Sequence, residues 1–264
     1  MTGWLLALLA AAGYAAGTLL QASGARGAPG LKAVVSPRVI AGFTMDGLAW
    51  LATLAALRRL PVFAVQSIHS AQLIGVVFGA WWLFKLRPRR LDVAATVGVV
   101  IALTLVAASA GPQPAVVASG LVTGTLVASV LLTIGFVALW RRLDDRWLTV
   151  VAGLGYSLTA LAARGAEASG GGVLGFLLQP LIVPLALGGV VGTVAYVLAV
   201  GKGRPGMVVA VSSVIEVIVP GALGLALLGD VIRPGWQVAA GAGVVLCLAG
   251  CVAMATGPAG ALED

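Results

Sequence analysis

The chain has 264 residues, of which 60% are hydrophobic and only 9% are charged, and its mean hydropathy is strongly positive. Soluble domains carry about 25% charged residues, so this composition excludes a soluble globular protein. The formal net charge of +7 comes from basic residues in short segments between apolar runs. That distribution is typical of membrane topology signals and excludes a nucleic-acid-binding protein.

Apolar runs of about 20 residues, the length that an α-helix needs to cross ~30 Å of hydrocarbon, follow one another along the chain. Turn-forming segments such as RRLP, LRPRR, GPQP and GKGRPG separate these runs. We therefore predict an all-α integral membrane protein. Its nine transmembrane helices are expected at about 3–22, 38–57, 61–84, 91–110, 115–139, 147–164, 181–200, 206–228 and 235–256.

The basic residues predict the orientation of this arrangement. Twelve of the sixteen Lys and Arg residues fall in loops on one side of the nine spans, and four fall on the other side. Because cytoplasmic loops are enriched in Lys and Arg, the N-terminus is expected outside and the C-terminus in the cytoplasm. The expected location is the plasma (inner) membrane, with multiple passes.

An internal repeat relates the two halves of the chain, 1–110 and 111–264. Aligning Pro61 with Pro205 without gaps pairs Arg89 with Arg233, and each copy begins with a span that carries a Gly-Tyr dipeptide. The fifth span lies between the copies, so the second copy enters the membrane from the opposite face. We predict two inverted four-helix repeats, spans 1–4 and spans 6–9, as in many secondary transporters.

Polar side chains at three-residue spacing interrupt the third span and lie on one helix face. The repeat alignment places them opposite two serines and a glutamate near the centre of the eighth span. Transporters built from inverted repeats bind their substrates near the bilayer midplane, between the repeats. We therefore predict a substrate- or proton-binding site from these residues: Gln66, His69, Gln72, Ser212, Ser213 and Glu216.

Two of the nine carboxylates, Asp46 and Glu216, lie deep within predicted spans. Each costs on the order of 2.5–3.5 kcal/mol at a helix centre, so we expect both to face a cavity or a partner, and Asp46 joins the predicted site. Pro220 leaves the carbonyl of Glu216 without its usual donor and is the predicted hinge. Two alternatives stay open: Glu216 as a structural hydrogen-bonding group, and His69 as a packing residue between helices.

Two segments resemble the drug/metabolite transporter superfamily. The stretch LLGDVIRPGWQVAAGAGVVLCLAGCV (227–252) is similar to the end of a half-unit in that superfamily, where a Leu-Gly-acidic turn joins two helices. The stretch AALRRLPVFAVQSIHSAQL (55–73) is similar to the Pro-started helix of the first half-unit. The chain departs from the pattern at Asp230, which replaces a Glu, and at Phe84-Lys85, where an acidic residue is expected. The resemblance implies the ten-helix plan without its first helix, as in the nine-helix NIPA-like branch.

The leading hypothesis is a secondary transporter for a small cationic or neutral metabolite, coupled to protons. The predicted span centres contain no Lys or Arg, which disfavours a strongly anionic substrate. Three alternatives stay open: a transporter of Mg²⁺ or another divalent cation, a flippase for a lipid-linked sugar, and a non-transporting scaffold or accessory subunit. The sequence has no catalytic motif, so we expect neither an enzyme nor a cofactor. The expected partners are the substrate and the lipid bilayer, with a homodimer left open.

Overall fold

The computed structural model describes residues 2–28, 30–57, 68, 71–85, 89–111, 120–139, 141–167, 178–227 and 231–255. Within these ranges a 3₁₀ helix, Gly30–Val35, connects the first two of nine α-helices. The α-helices are α1 (Thr2–Arg26), α2 (Pro37–Leu57), α3 (Gln72–Phe84), α4 (Arg90–Ala108), α5 (Gly120–Ala138), α6 (Asp145–Glu167), α7 (Ile182–Lys202), α8 (Pro205–Leu227) and α9 (Gln237–Ala255).

Five helices of the described part are long and apolar enough to cross a membrane: α1, α4, α7, α8 and α9. The helix α3 and the segment Thr123–Phe136 of α5 are also apolar but shorter. Large apolar side chains cover the outside of the bundle, and Val238 is 84% exposed. A surface of this kind suits lipid rather than water. The chain is therefore a helical multi-pass membrane protein, which confirms the all-α class.

Helices pack in pairs that recur along the chain. The helix α1 packs along α2 and also meets α3, while α6 packs along α7 and also meets α8. Two further contacts, α4 with α9 and α3 with α8, join the halves. Glycines bring the paired helices together: a Cβ on Gly42 would lie 2.7 Å from the carbonyl oxygen of Gly17, and one on Gly155 would lie 2.6 Å from Cα of Gly192. Small residues allow such close approach in membranes.

One end of the bundle collects the loops that carry most of the described basic residues. Nη2 of Arg26 donates a hydrogen bond to the carbonyl of Gly203 at 2.7 Å, and the guanidinium carbon lies 4.2 Å from the centre of the Phe84 ring. Nζ of Lys202 donates to the carbonyl of Leu143 at 2.9 Å. These contacts bring four loops together. We call this end the basic end; it comprises the described residues of 26–36, 85–89, 141–145 and 202–204.

Two other loops meet at the opposite end of the bundle. The N–H of Gly111 donates to the carbonyl of Val231 at 3.0 Å, and the N–H of Arg233 donates to the carbonyl of Ser109 at 2.9 Å. The loop after α4 and the loop after α8 are thus joined through their backbones. Described loops that are separated by one helix therefore lie at opposite ends of the bundle. The loop before α4, for example, is at the basic end, and the loop after α4 is at the other end.

Candidate functional site

The carboxyl of Asp46 lies inside the contact between α1 and α2. Nε2 of Gln21 donates a hydrogen bond to Oδ2 of Asp46 at 2.5 Å, and Gln21 is only 1% exposed. Glycines make room for the pair: a Cβ on Gly17 would overlap Oδ1 of Asp46, and one on Gly42 would lie 2.6 Å from Cγ of Gln21. A carboxyl within an apolar helix is energetically unfavourable unless it has a polar partner, and Gln21 is that partner for Asp46.

Tyr196 of α7 links the two halves of the chain near the centre of the bundle. Its hydroxyl lies 3.0 Å from Oγ1 of Thr18 on α1, and both side chains are buried. Its ring centre lies 6.3 Å from that of Tyr156 on α6, with the planes tilted by 57°. This is the tilted geometry that aromatic pairs prefer. These contacts join α1, α6 and α7 through Thr18, Tyr156 and Tyr196.

A tyrosine lies near a threonine of the next helix in two places. Tyr14 of α1 lies near Thr53 of α2, and Tyr156 of α6 lies near Thr193 of α7. Both tyrosines belong to the Gly-Tyr dipeptides in the first span of each predicted repeat. In both places the threonine belongs to the helix that follows the tyrosine's own helix.

Glu216 lies half-way along α8, although that helix is apolar. The carboxyls of Glu216 and Asp46 both come within electrostatic range of Tyr14, Tyr156 and Tyr196. The same three tyrosines therefore lie near both carboxyls, although Asp46 and Glu216 belong to different halves of the chain. We call Tyr14, Asp46, Tyr156, Tyr196 and Glu216 the central polar group.

Contacts with α6 position the turn of α8 that carries Glu216. A Cβ on Gly153 would lie 2.7 Å from Cβ of Ile215, so a glycine is needed for the close approach of the two helices. Oγ of Ser157 donates to the carbonyls of Gly153 at 2.7 Å and Ile215 at 3.2 Å. Pro220 lies within α8 without ending it, and its ring nitrogen leaves the carbonyl of Glu216 without the usual donor.

The remaining residues of the predicted site have different placements. Gln66 and His69 lie outside the described residues. Ser212 is buried, and its Oγ donates to the carbonyl four residues earlier in α8 at 2.7 Å. Ser213 and Gln72 are half-buried, and Gln72 is the first residue of α3. The hydroxyl of Ser212 is thus bonded to the backbone of its own helix.

The sequence-based site lacks three members of the central polar group, Tyr14, Tyr156 and Tyr196. It also lacks Thr18 and Gln21 of α1, which are hydrogen bonded to Tyr196 and Asp46. The sequence feature that indicates Thr18 and Gln21 is their three-residue spacing, which places both polar side chains on one face of the apolar helix α1. The described part of the chain brings no set of three His, Cys, Asp or Glu side chains close enough to hold a metal ion.

Comparisons with known proteins give no relative for this fold and site. No protein-family model matches the sequence, and the curated proteins and solved structures give no match either. The fold and the central polar group define a helical multi-pass membrane protein with two acids at mid-bundle.

Proposed function

We propose that the chain is a secondary transporter of the drug/metabolite type that moves a small cationic or neutral metabolite in exchange for protons. The observation that carries this proposal is the position of Asp46 and Glu216, from different halves of the chain, each in the middle of an apolar helix and within electrostatic range of the same three tyrosines. Ionisable residues within membrane helices are expensive and usually serve transport, proton relay or ligand binding. A packing role alone would not require a carboxyl at the middle of the apolar helix α8.

The proposed architecture is nine transmembrane helices in two inverted four-helix repeats, α1–α4 and α6–α9, with α5 between them. Three observations support it: the recurring helix pairs, the segregation of loops to two ends, and the tyrosine near a threonine of the next helix in α1 and in α6. The basic end is proposed to face the cytoplasm of a plasma (inner) membrane, since cytoplasmic loops are rich in Lys and Arg. The N-terminus is then outside and the C-terminus is inside.

The chemistry of the central polar group suits a positively charged or hydrogen-bonding solute. Carboxylates attract a cation, and tyrosine rings add attraction through their π faces. The described Lys and Arg residues lie at or near helix ends, so no cationic side chain of the described part competes at the centre. Protons and a cationic solute would compete for the same carboxylates, which couples their movements in opposite directions. The helix α8 would bend at Pro220 as access changes.

A divalent cation is the second candidate substrate, because two carboxylates lie within electrostatic range of the same three tyrosines. Mg²⁺ commonly keeps several waters and uses one or two carboxylates. Asp46 and Glu216 would meet that minimum. The hydrogen bond from Gln21 already occupies one oxygen of Asp46, which favours an organic solute over a metal ion.

The test is a flux assay with the full chain in proteoliposomes that contain a pH-sensitive dye. Amines, neutral metabolites and Mg²⁺ are applied one at a time, and protein-free liposomes give the background. We expect at least one organic solute to drive proton movement only when the protein is present. Uptake of Mg²⁺ without any organic solute would favour the second candidate. The absence of flux with every solute, from protein that is folded and inserted, would contradict the proposal.

A further inference from the structure

Asp92 is a buried carboxylate at the edge of the basic end, in the first turn of α4, and is 2% exposed. Its Oδ1 accepts a hydrogen bond from Nη2 of Arg89 at 3.1 Å, and its Oδ2 accepts one from the backbone N–H of Arg89 at 3.0 Å. Nη2 of Arg204, in the turn between α7 and α8, donates to the same Oδ2. One carboxylate of the first half thus holds a turn of the second half.

The same turn is held from its other side. Arg26 of α1 donates to the carbonyl of Gly203, the residue before Arg204, and stacks over Phe84 at the end of α3. Met207 lies beside the ion pair and is 6% exposed, in a small cavity whose lining includes Asp92 and Arg204. Three helices of the first half therefore close around the start of α8.

The opposite end carries a different group at the equivalent position. The repeat alignment that pairs Arg89 with Arg233 places Trp236 where the first half has Asp92. In the structure the guanidinium carbon of Arg233 lies 5.7 Å from the centre of the Trp236 ring. At these aligned positions, the basic end has a carboxylate that joins the two halves, and the opposite end has an aromatic contact within one half.

We infer that the Asp92–Arg204 ion pair is a latch that closes the basic end and must break before the central polar group opens to that side. This inference rests on the proposed function, because only a transporter needs alternating access. The arrangement suits a reversible latch. Arg204 is 28% exposed at its side chain and can turn into water, and Arg89 stays bonded to Asp92. When Arg204 moves away from Asp92, the buried carboxylate therefore keeps Arg89 as a charged partner. An unpaired buried charge would be strongly unfavourable.

The reporter of opening is a cysteine in place of Met207, beneath the latch. The background replaces Cys247 and Cys251, the two native cysteines, with alanine. The full chain is reconstituted in vesicles whose basic end faces outward, and its reaction rate with a membrane-impermeant maleimide is measured. In the latched state the rate is expected to be low, because position 207 is buried.

Asp92→Asn keeps the shape of the side chain and removes the charge that holds Arg204. We expect the labelling rate to rise about tenfold, as the loss of one charge-assisted hydrogen bond shifts the balance toward the open state. The matched control is Asp144→Asn, which removes the same charge from an exposed residue at the same end. The Asp144 side chain accepts from the N–H of Trp147 at 2.9 Å, and asparagine also caps helices, so this control should fold and label slowly.

Arg204→Gln is the second variant, and it keeps the test valid if Asp92→Asn fails to fold. It should raise the rate to a similar level, and combining it with Asp92→Asn should add little, since both break one interaction. Unchanged rates in the single variants, or an equal rise in the Asp144→Asn control, would overturn the latch. Solute-driven proton flux through the unmodified protein is measured separately. If that flux is present but the variants label at the unmodified rate, the latch is rejected and the transporter is not. If the flux is absent, the transporter itself is rejected.

Discussion

Nε2 of Gln21 and Oδ2 of Asp46 lie 2.5 Å apart across the contact between α1 and α2. Either group alone would be a poorly satisfied polar side chain within an apolar helix pair, whereas together they satisfy each other. Because Asp46 also belongs to the central polar group, the pair connects the packing of the first two helices to the proposed site.

Removing the donor of this pair should destabilise the protein. Gln21→Leu keeps a similar volume and leaves the carboxyl of Asp46 without its partner. We expect a loss of about 1–3 kcal/mol, the usual penalty for an unsatisfied buried polar group. Thermal unfolding in detergent measures the effect. The control is Gln237→Leu, at an exposed position at the start of α9. An equal loss in both variants would show that the hydrogen bond is not the cause.

Replacing the two polar groups together should restore part of that loss. In Gln21→Leu combined with Asp46→Leu, no carboxyl remains to be satisfied, and paired apolar replacements are often nearly neutral. The double variant should therefore unfold at a higher temperature than Gln21→Leu alone. A double variant that is less stable than both single variants would contradict this explanation.

Two glycine-to-alanine changes should have opposite effects on stability. A Cβ on Gly155 would lie 2.6 Å from Cα of Gly192, so Gly155→Ala must push α6 away from α7. A Cβ on Gly124 meets no atom within 4 Å, so Gly124→Ala should gain up to ~1 kcal/mol from helix propensity. We expect Gly155→Ala to lose about 1–3 kcal/mol from overpacking. Thermal unfolding of both variants is the measurement, and equal shifts would contradict the close helix contact.

The proposed topology predicts opposite accessibility for the two ends of the bundle. In a chain without native cysteines, Lys32→Cys at the basic end should react with an impermeant maleimide from the cytoplasmic side only. Pro234→Cys, in the loop after α8, should react from the outside only. Both original residues are exposed, so the substitutions should not disturb packing. Labelling of both cysteines from the same side would contradict the alternation of loops.

The sequence predicts the helical class, which the structure confirms, and it singles out Asp46 and Glu216, because hydropathy and the cost of a charge in lipid can be read from single residues. It did not predict the partner of Asp46. Whether Gln21 faces a neighbouring helix depends on how α1 is rotated and on the room that Gly17 and Gly42 leave. Periodicity gives the face of a helix but not what that face contacts.

Ser212 and Asp92 show two other limits of the sequence-based prediction. The prediction places Ser212 in the site because it belongs to the polar stripe of the eighth span, yet its short side chain bonds to its own backbone, as serines in helices often do. Asp92 lies in the first turn of a helix, where a carboxylate is ordinary. Its importance comes from Arg204, which lies 112 positions later in the chain.

The most direct test of the central claim is the pH dependence of solute uptake by Glu216→Gln in proteoliposomes. Glutamine keeps the size and hydrogen-bonding capacity of the side chain but cannot exchange a proton. With a solute that the wild type transports, we expect the variant to be folded and inserted, and to lose either transport or its response to a proton gradient. The Asp144→Asn control should behave like the wild type. Wild-type uptake by Glu216→Gln, with an unchanged response to the gradient, would contradict the role of Glu216 in coupling.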